Sequence, residues 1–471
     1  MKSQSTSLVL IIIFLMLLLP GCKENSGSLE IANYPCIDGL AKDTFPCENI
    51  ELYASVEPWK LYGLTEVEFN GLTNNQKSQL RLNDIWGWKD PMTNKEYALV
   101  GLIDGVSFVD ISDPNNPVVI GKLEESTLNA KFKIADFDRS FPACTFGIGD
   151  TEAAKTIVEG STWRDMKVFD NHAFVVSDAQ AHGMQVFDLT KLRNFSGEFL
   201  TFTHDALYDR FANAHNIVIN EETGFAYAVG VTNAEICGSR NETGLHIVDI
   251  NNPIQPTFAG CFFDAETDLQ SYPNIAPGYI HDTQCVVYDG PDSDHRGKEL
   301  CVSSAEGAVV ITDVSDKENP ITLGFKGQAQ MQYSHQGWLT EDHSYFLMND
   351  ELDENNLGRE TRTYIWDVRN LENPEFLGFY LHTTTSIDHN LYIRDGFVYQ
   401  SNYTSGLRAF RIGNLQNLEL DPVGYFDTQP ALPNQQDRAY KGAWSNYPYF
   451  ESEVLIVSDI EDGLFILRPD F

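Results

Sequence analysis

Short apolar runs recur along most of the chain, each bounded by Gly, Pro, Asn or Asp. "EYALVGL", "HAFVVSD", "FAYAVGV", "ELCVSSA", "YFLMND", "FVYQSN" and "EVLIVSD" are typical. Their length and their content of branched and aromatic residues predict strands, and no long window repeats with the period of a helix. A fixed phrase follows each run. It reads "GLHIVDINNPIQP" from Gly244, and its relatives are "GVSFVDISDPNNP" from Gly105, "GMQVFDLTKL" from Gly183, "GAVVITDVSDKENP" from Gly307, "RTYIWDVRNLENP" from Arg362, "GLRAFRIGN" from Gly406 and "GLFILRPDF" from Gly463. Gly opens most copies, and Asp closes the first five.

Most copies are followed by a further short strand, such as "PVVIGKL", "PTFAGCF", "PITLGF" or "PEFLGFY". With a strand upstream of each run, every unit holds four strands. Seven such units predict an all-β, seven-bladed β-propeller, in which each small sheet buries its faces against its neighbours. The last unit ends at Phe471 after its third strand, and "NIELYASVE", Asn49 to Glu57, belongs to no other unit. It is predicted to close the last blade and so remove two exposed edges. Residues 35–471 are then one propeller domain.

The first residues predict export. Lys2 precedes an apolar run from Leu8 to Leu19, the length of a secretory h-region and too short to span a bilayer. "LLPGC", Leu18 to Cys22, resembles the lipobox of bacterial lipoproteins. That resemblance implies a signal peptide over residues 1–21, a lipid on Cys22, and a tether over residues 22–34. Lys23 after the Cys favours the outer membrane or cell surface.

The chain has 68 acidic and 32 basic residues, a net charge of −36, which argues against a nucleic-acid partner. Export permits disulfides. Cys36 with Cys47, Cys237 with Cys261, and Cys285 with Cys301 are the expected pairs, with Cys144 left over.

The sequence has no nucleophile elbow, no "HExxH", no phosphate-binding Gly-rich loop and no strict EF-hand loop. The leading expectation is therefore a non-enzymatic binding or scaffold module for an envelope protein or polysaccharide. The alternative is a hydrolase or lyase acting on an extracellular polymer at the channel mouth. "NDELDEN" gathers Asp350, Glu351, Asp353 and Glu354 in one loop. It reads either as a solvated acidic turn or as a weak calcium site using Asp350, Asp353 and Glu354.

First strands of propeller blades line the central channel. Aligning the seven units places Asn83, Arg164, His215, His281, His335, His389 and Lys441 in one column. The next column is Asp84, Asp165, Asn216, Asp282, Gln336, Asn390 and Gly442. Arg164, Asp165, His215, His281, Asp282, His335, Asp388, His389 and Lys441 are thus the candidate ring. One reading is architecture, with these groups satisfying turns between blades. The other is a site for an anionic group or an ion held through water.

The stretches "NDIWGW", "HGMQVFDL", "HNIVINEETGFAYAVG", "GLHIVDINNP", "HDTQCVVYDGPD", "HQGWLTED", "DELDE", "TRTYIWD", "DHNLYI" and "GAWSNYPYF" together resemble the choice-of-anchor B family, whose members carry LVIVD-type repeats. The resemblance covers nearly all of the chain beyond the tether. It implies a secreted or surface propeller fixed to the envelope by an anchor, here the lipid on Cys22, and implies no particular reaction.

Overall fold

The computed structural model describes residues 33–126, 160–232, 234, 244–267, 278–431 and 438–471. Seven four-stranded antiparallel blades form a ring. The innermost strands are Leu82–Lys89, Arg164–Phe169, Asn216–Asn220, Asp282–Val287, Ser334–Leu339, Asn390–Arg394 and Ala443–Tyr447. Each packs against the next, and the seventh returns to the first.

The recurring phrase is the third strand of each blade, and its punctuation has a physical cause. Asp110, Asp188, Asp249, Asp313 and Asp367 each accept the backbone N–H two residues on, at 2.9–3.0 Å. These are side-chain-closed turns of the kind short carboxylates make. At the other end, Gly406 and Gly463 have φ of 70° and 102°. A Cβ at either position would lie 2.2 Å or 2.1 Å from a carbonyl oxygen of the adjacent outer strand, Phe426 or Val56. Glycine is what allows the outer strand to approach there.

The ring closes as the sequence predicts. Ile50–Val56 pairs antiparallel with Gly463–Pro469, from Ile50 opposite Pro469 to Val56 opposite Leu464. Blades seven and one then share a core of Leu82, Ile85, Val100, Ile456, Leu464 and Ile466. Blade six gains Phe45–Glu48 on its outer edge, and blade one gains the parallel strand Leu200–Phe202. Cys36–Cys47 staples the segment that caps blade six, and Cys285–Cys301 joins directly opposed residues of blade four. Cys22, Cys144 and Cys237, the expected partner of Cys261, lie outside the described residues.

The all-β fold includes short helices between the closing strand and blade one, which the apolar pattern did not predict. Helices Pro58–Leu61, Glu66–Gly71 and Asn74–Lys77 lie there. Thr65 with Glu68 and Thr73 with Gln76 form complete capping boxes. This reciprocal bonding stabilises short helices that have no apolar period to announce them. Among the described residues no helix is long and apolar enough to cross a membrane.

Candidate functional site

At one mouth of the channel four imidazoles stack in an arc. His215, His281, His335 and His389 come from successive blades, with ring centroids 4.6, 4.3 and 4.5 Å apart. Each of the last three is pinned by the next blade. His281 Nδ1 lies 2.8 Å from His335 O, His335 Nδ1 lies 3.2 Å from His389 O, and His389 Nδ1 lies 2.6 Å from Trp444 O. A carbonyl only accepts, so Nδ1 carries the proton and Nε2 keeps its lone pair. Burial, reinforced by neighbouring imidazoles, holds His281 and His335 well below the ordinary histidine range, and burial takes His389 down to about 3. His215 differs. Burial opposes its charge, but Asp178, 2.9 Å from its Nδ1, outweighs burial and raises it.

Glu351 faces this arc. Its carboxylate oxygens lie 3.7 Å from His335 Nε2 and 3.7 Å from His389 Nε2. Tyr403 donates its hydroxyl to Glu351 Oε1 at 2.7 Å. Burial pushes the Glu351 carboxyl up to about 7. These three residues form a set able to hold a metal ion, their ligand atoms all within 4.8 Å of one another.

Two members of the expected ring lie elsewhere. Arg164 turns into the interface between blades one and two, where it donates to Leu102 O at 3.0 Å and Ile103 O at 3.2 Å and pairs with Glu125. A fully buried guanidinium needs several acceptors, and those carbonyls supply them. Lys441 is exposed. The residue in the histidine register of blade seven is Trp444, whose carbonyl receives His389 as His389 O receives His335. Ser445 opposite Ser458 then takes the register assigned to Gly442.

One level deeper, Asp84, Asp165 and Asp282 gather around Lys167. Lys167 Nζ donates to Asp165 at 2.5 Å, and the other oxygen of Asp165 accepts Ile217 N–H at 2.8 Å. Asp84 and Asp282 bond the following backbone N–H, at 2.7 Å each. Burial, with the Asp165 charge, pushes both carboxyls up to about 7.

The acidic loop is not solvated, which overturns that reading of it. Asp350, Asp353, Glu354 and Asp388 are all buried, the last three at 0% exposure. Asp350 accepts the N–H groups of Gln332 and Tyr333, and Asp353 accepts the Tyr364 hydroxyl. Both oxygens of Glu354 and of Asp388 lack a hydrogen bond of ordinary geometry. Burial and mutual repulsion drive Glu354 and Asp388 well above the carboxylate range. Such a nest needs protons or a cation.

The opposite mouth is aromatic. A cavity of about 420 Å³ is lined by Trp86, Trp338, Tyr447 and Tyr449, with Lys167, Gln284, Glu221 and Glu222 among its polar groups. The four aromatics are half-buried, and Lys167 Nζ sits 4.5 Å from the Trp86 ring centre. Sequence reasoning missed this cluster. Its signal was alternation: Trp86, Lys167, Gln284, Trp338 and Tyr447 each stand two residues beyond the Asp84, Asp165, Asp282, Gln336 and Ser445 level, so they face the channel too.

Residues 95–124 and 240–264 match the family model of the LVIVD repeat. Two of the seven units thus match the LVIVD repeat. The two matches contain the phrases from Gly105 and Gly244, and what they share is a blade's third strand, its Asp-closed turn and the outer strand that follows. A search of curated proteins returned no match. Among solved structures, this propeller is similar to a protein from Lactobacillus plantarum, at 11% identity over 80% of this chain and 88% of that one, with a TM-score of 0.47. It is also similar to a functionally unknown protein from Desulfotomaculum acetoxidans DSM 771, at 11% identity over 73% and 85%, with a TM-score of 0.45. The Cps50 (Swd1) β-propeller domain of Myceliophteria thermophila shares 12% identity over 82% and 98%, with a TM-score of 0.45.

Proposed function

We propose that this LVIVD propeller is a non-enzymatic binding module of the bacterial envelope, of the choice-of-anchor B kind. Lipid on Cys22 holds it to a membrane, and it takes a neutral extracellular polysaccharide at the aromatic mouth of its channel. The observation that carries this reading is the half-buried Trp86, Trp338, Tyr447 and Tyr449 around one cavity, with Lys167, Gln284 and two glutamates between them. Aromatic faces pack against the C–H faces of sugar rings, while the interspersed polar groups meet hydroxyls. A net charge of −36 turns polyanions away and leaves neutral polymers as the favoured class.

The test is affinity electrophoresis of the full chain in detergent through gels containing neutral polysaccharides. Retardation is expected, and Trp86→Ala or Trp338→Ala should weaken it roughly 10-fold each. Free migration of the wild type in every gel overturns the proposal. New polymer chain ends after incubation would assign the mouth to a hydrolase or lyase instead.

A further inference from the structure

The histidine mouth stands apart from that cavity and carries an argument of its own. Its donor set is two imidazole nitrogens and one carboxylate, from His335, His389 and Glu351. The 3.7 Å between each Nε2 and its facing carboxylate oxygen is too long for a good hydrogen bond. It matches two donors that share an ion: ligands at zinc distances and tetrahedral angles stand about 3.4 Å apart. Both imidazoles are already in the tautomer a metal needs, because each Nδ1–H is held by a carbonyl of the next blade. That is the outer-shell bond that orients metal-ligating histidines. Tyr403 plays the same part for the third ligand, fixing Glu351 by its 2.7 Å hydrogen bond.

The alternative is that the carboxylate simply satisfies the imidazoles. An architectural pairing would place Nε2 against an acceptor only if it carried a proton, and both ring protons are committed to Nδ1. Two lone pairs then face the Glu351 carboxyl, and at 3.7 Å a proton on that carboxyl would stand too far from either Nε2 to make a good hydrogen bond. That arrangement is relieved by a cation. Nitrogen-rich donors select a transition ion over calcium or magnesium, which prefer oxygen alone.

We propose that His335, Glu351 and His389 bind one divalent transition ion of the zinc class at this mouth, with a coordination position left open to the channel. His281, next in the arc at 4.3 Å between ring centres, flanks that open position.

Cobalt(II) tests this without any activity assay. The full chain in detergent, stripped with chelator, is titrated with cobalt(II) and followed by visible absorption. Saturation at one ion per chain is expected, with the intense bands of a four- or five-coordinate site, and zinc should displace the cobalt. Glu351→Gln and His389→Gln keep the shape of the site and should each lower affinity by more than about 100-fold, while Tyr403→Phe should lower it roughly 10-fold. Far-UV circular dichroism of each variant confirms that the propeller is retained. Absence of cobalt bands in the wild type overturns the proposal, as do bands that persist unchanged in folded Glu351→Gln. Neither outcome bears on polysaccharide retention at the opposite mouth.

Discussion

Replacing Asp282 with Asn should stabilise the protein, by an amount that depends on pH in a defined way. Asp282 is half-buried in the channel wall with Asp84 and Asp165 near it, and its carboxyl is moved from 3.8 up to about 7. A group whose folded pKa is raised contributes most when protonated. Its contribution is complete below the unfolded value near 4 and is lost as the pH climbs through about 7. The shift corresponds to about 4 kcal/mol of destabilisation at pH 8. The amide introduced by Asp282→Asn would keep an oxygen to accept Thr283 N–H, the bond now 2.7 Å long. Lys167 would keep its bond to Asp165. The register already accepts amides, since Asn216, Gln336 and Asn390 stand there in blades three, five and six. Thermal unfolding of wild type and variant, measured from about pH 4 to about pH 8, should show equal melting temperatures at the acid end. The variant should gain steadily through about pH 7 and lead by several degrees above it. A variant that melts level with or below wild type at pH 8 refutes the reasoning, because Asp282 would then have to be compensated in the folded protein.

Three further outcomes follow from other parts of the molecule. Calcium at millimolar concentration should raise the melting temperature, by about 2.7 kcal/mol equivalent at a hundred times its dissociation constant. A Glu354→Gln/Asp388→Asn double variant should not respond, and absence of any wild-type shift assigns protons rather than calcium to the nest. Cys22→Ser should move the protein from the membrane to the soluble fraction or block its processing, and unchanged fractionation removes the lipid anchor. Gly463→Ala should cost about 2–3 kcal/mol in urea unfolding, because its Cβ would meet Val56 O at 2.1 Å and loosen ring closure; an unchanged midpoint shows that the closing strand can shift without loss.

The blades were legible because their information is local and repeated. A turn closed by Asp249 needs only its own carboxylate and the N–H of Asn251, and the same bond recurs in four other blades under the same letters. Closure was legible by counting, since a seventh unit without an outer strand leaves Ile50–Val56 one place to go. The helices Glu66–Gly71 and Asn74–Lys77 escaped because their stability lies in capping boxes, Thr65 with Glu68 and Thr73 with Gln76, whereas hydrophobic periodicity searches for a buried stripe. The acidic loop was misread as solvated for a related reason. Charge composition records that Asp353 and Glu354 are carboxylates, and only the packing of blade five against blade six shows them without solvent beside Asp388.

Alignment of the repeats brought four histidines into one column and then overreached at Lys441. Blade seven carries around Trp444 the same bulge that blade five carries around His335, so Trp444 holds the histidine register, three residues beyond the Lys441 that matching letters selected. The ring tolerates this because it is a relay of carbonyls as much as of side chains. His281 is fixed by blade five, His335 by blade six and His389 by the Trp444 carbonyl of blade seven. A carbonyl is available from any residue type, so the last position can be Trp and the chain of orienting bonds still ends satisfied. The same independence explains why Glu351 was passed over as a ligand while its neighbours were chosen. In "NDELDEN" it is one acid among several, yet it alone points towards the imidazoles while Asp350 turns back to the N–H groups of Gln332 and Tyr333. Which carboxylate meets the histidines is decided by the turn after Tyr345–Asp350, and that turn is set by contacts from the next blade, Tyr403 among them.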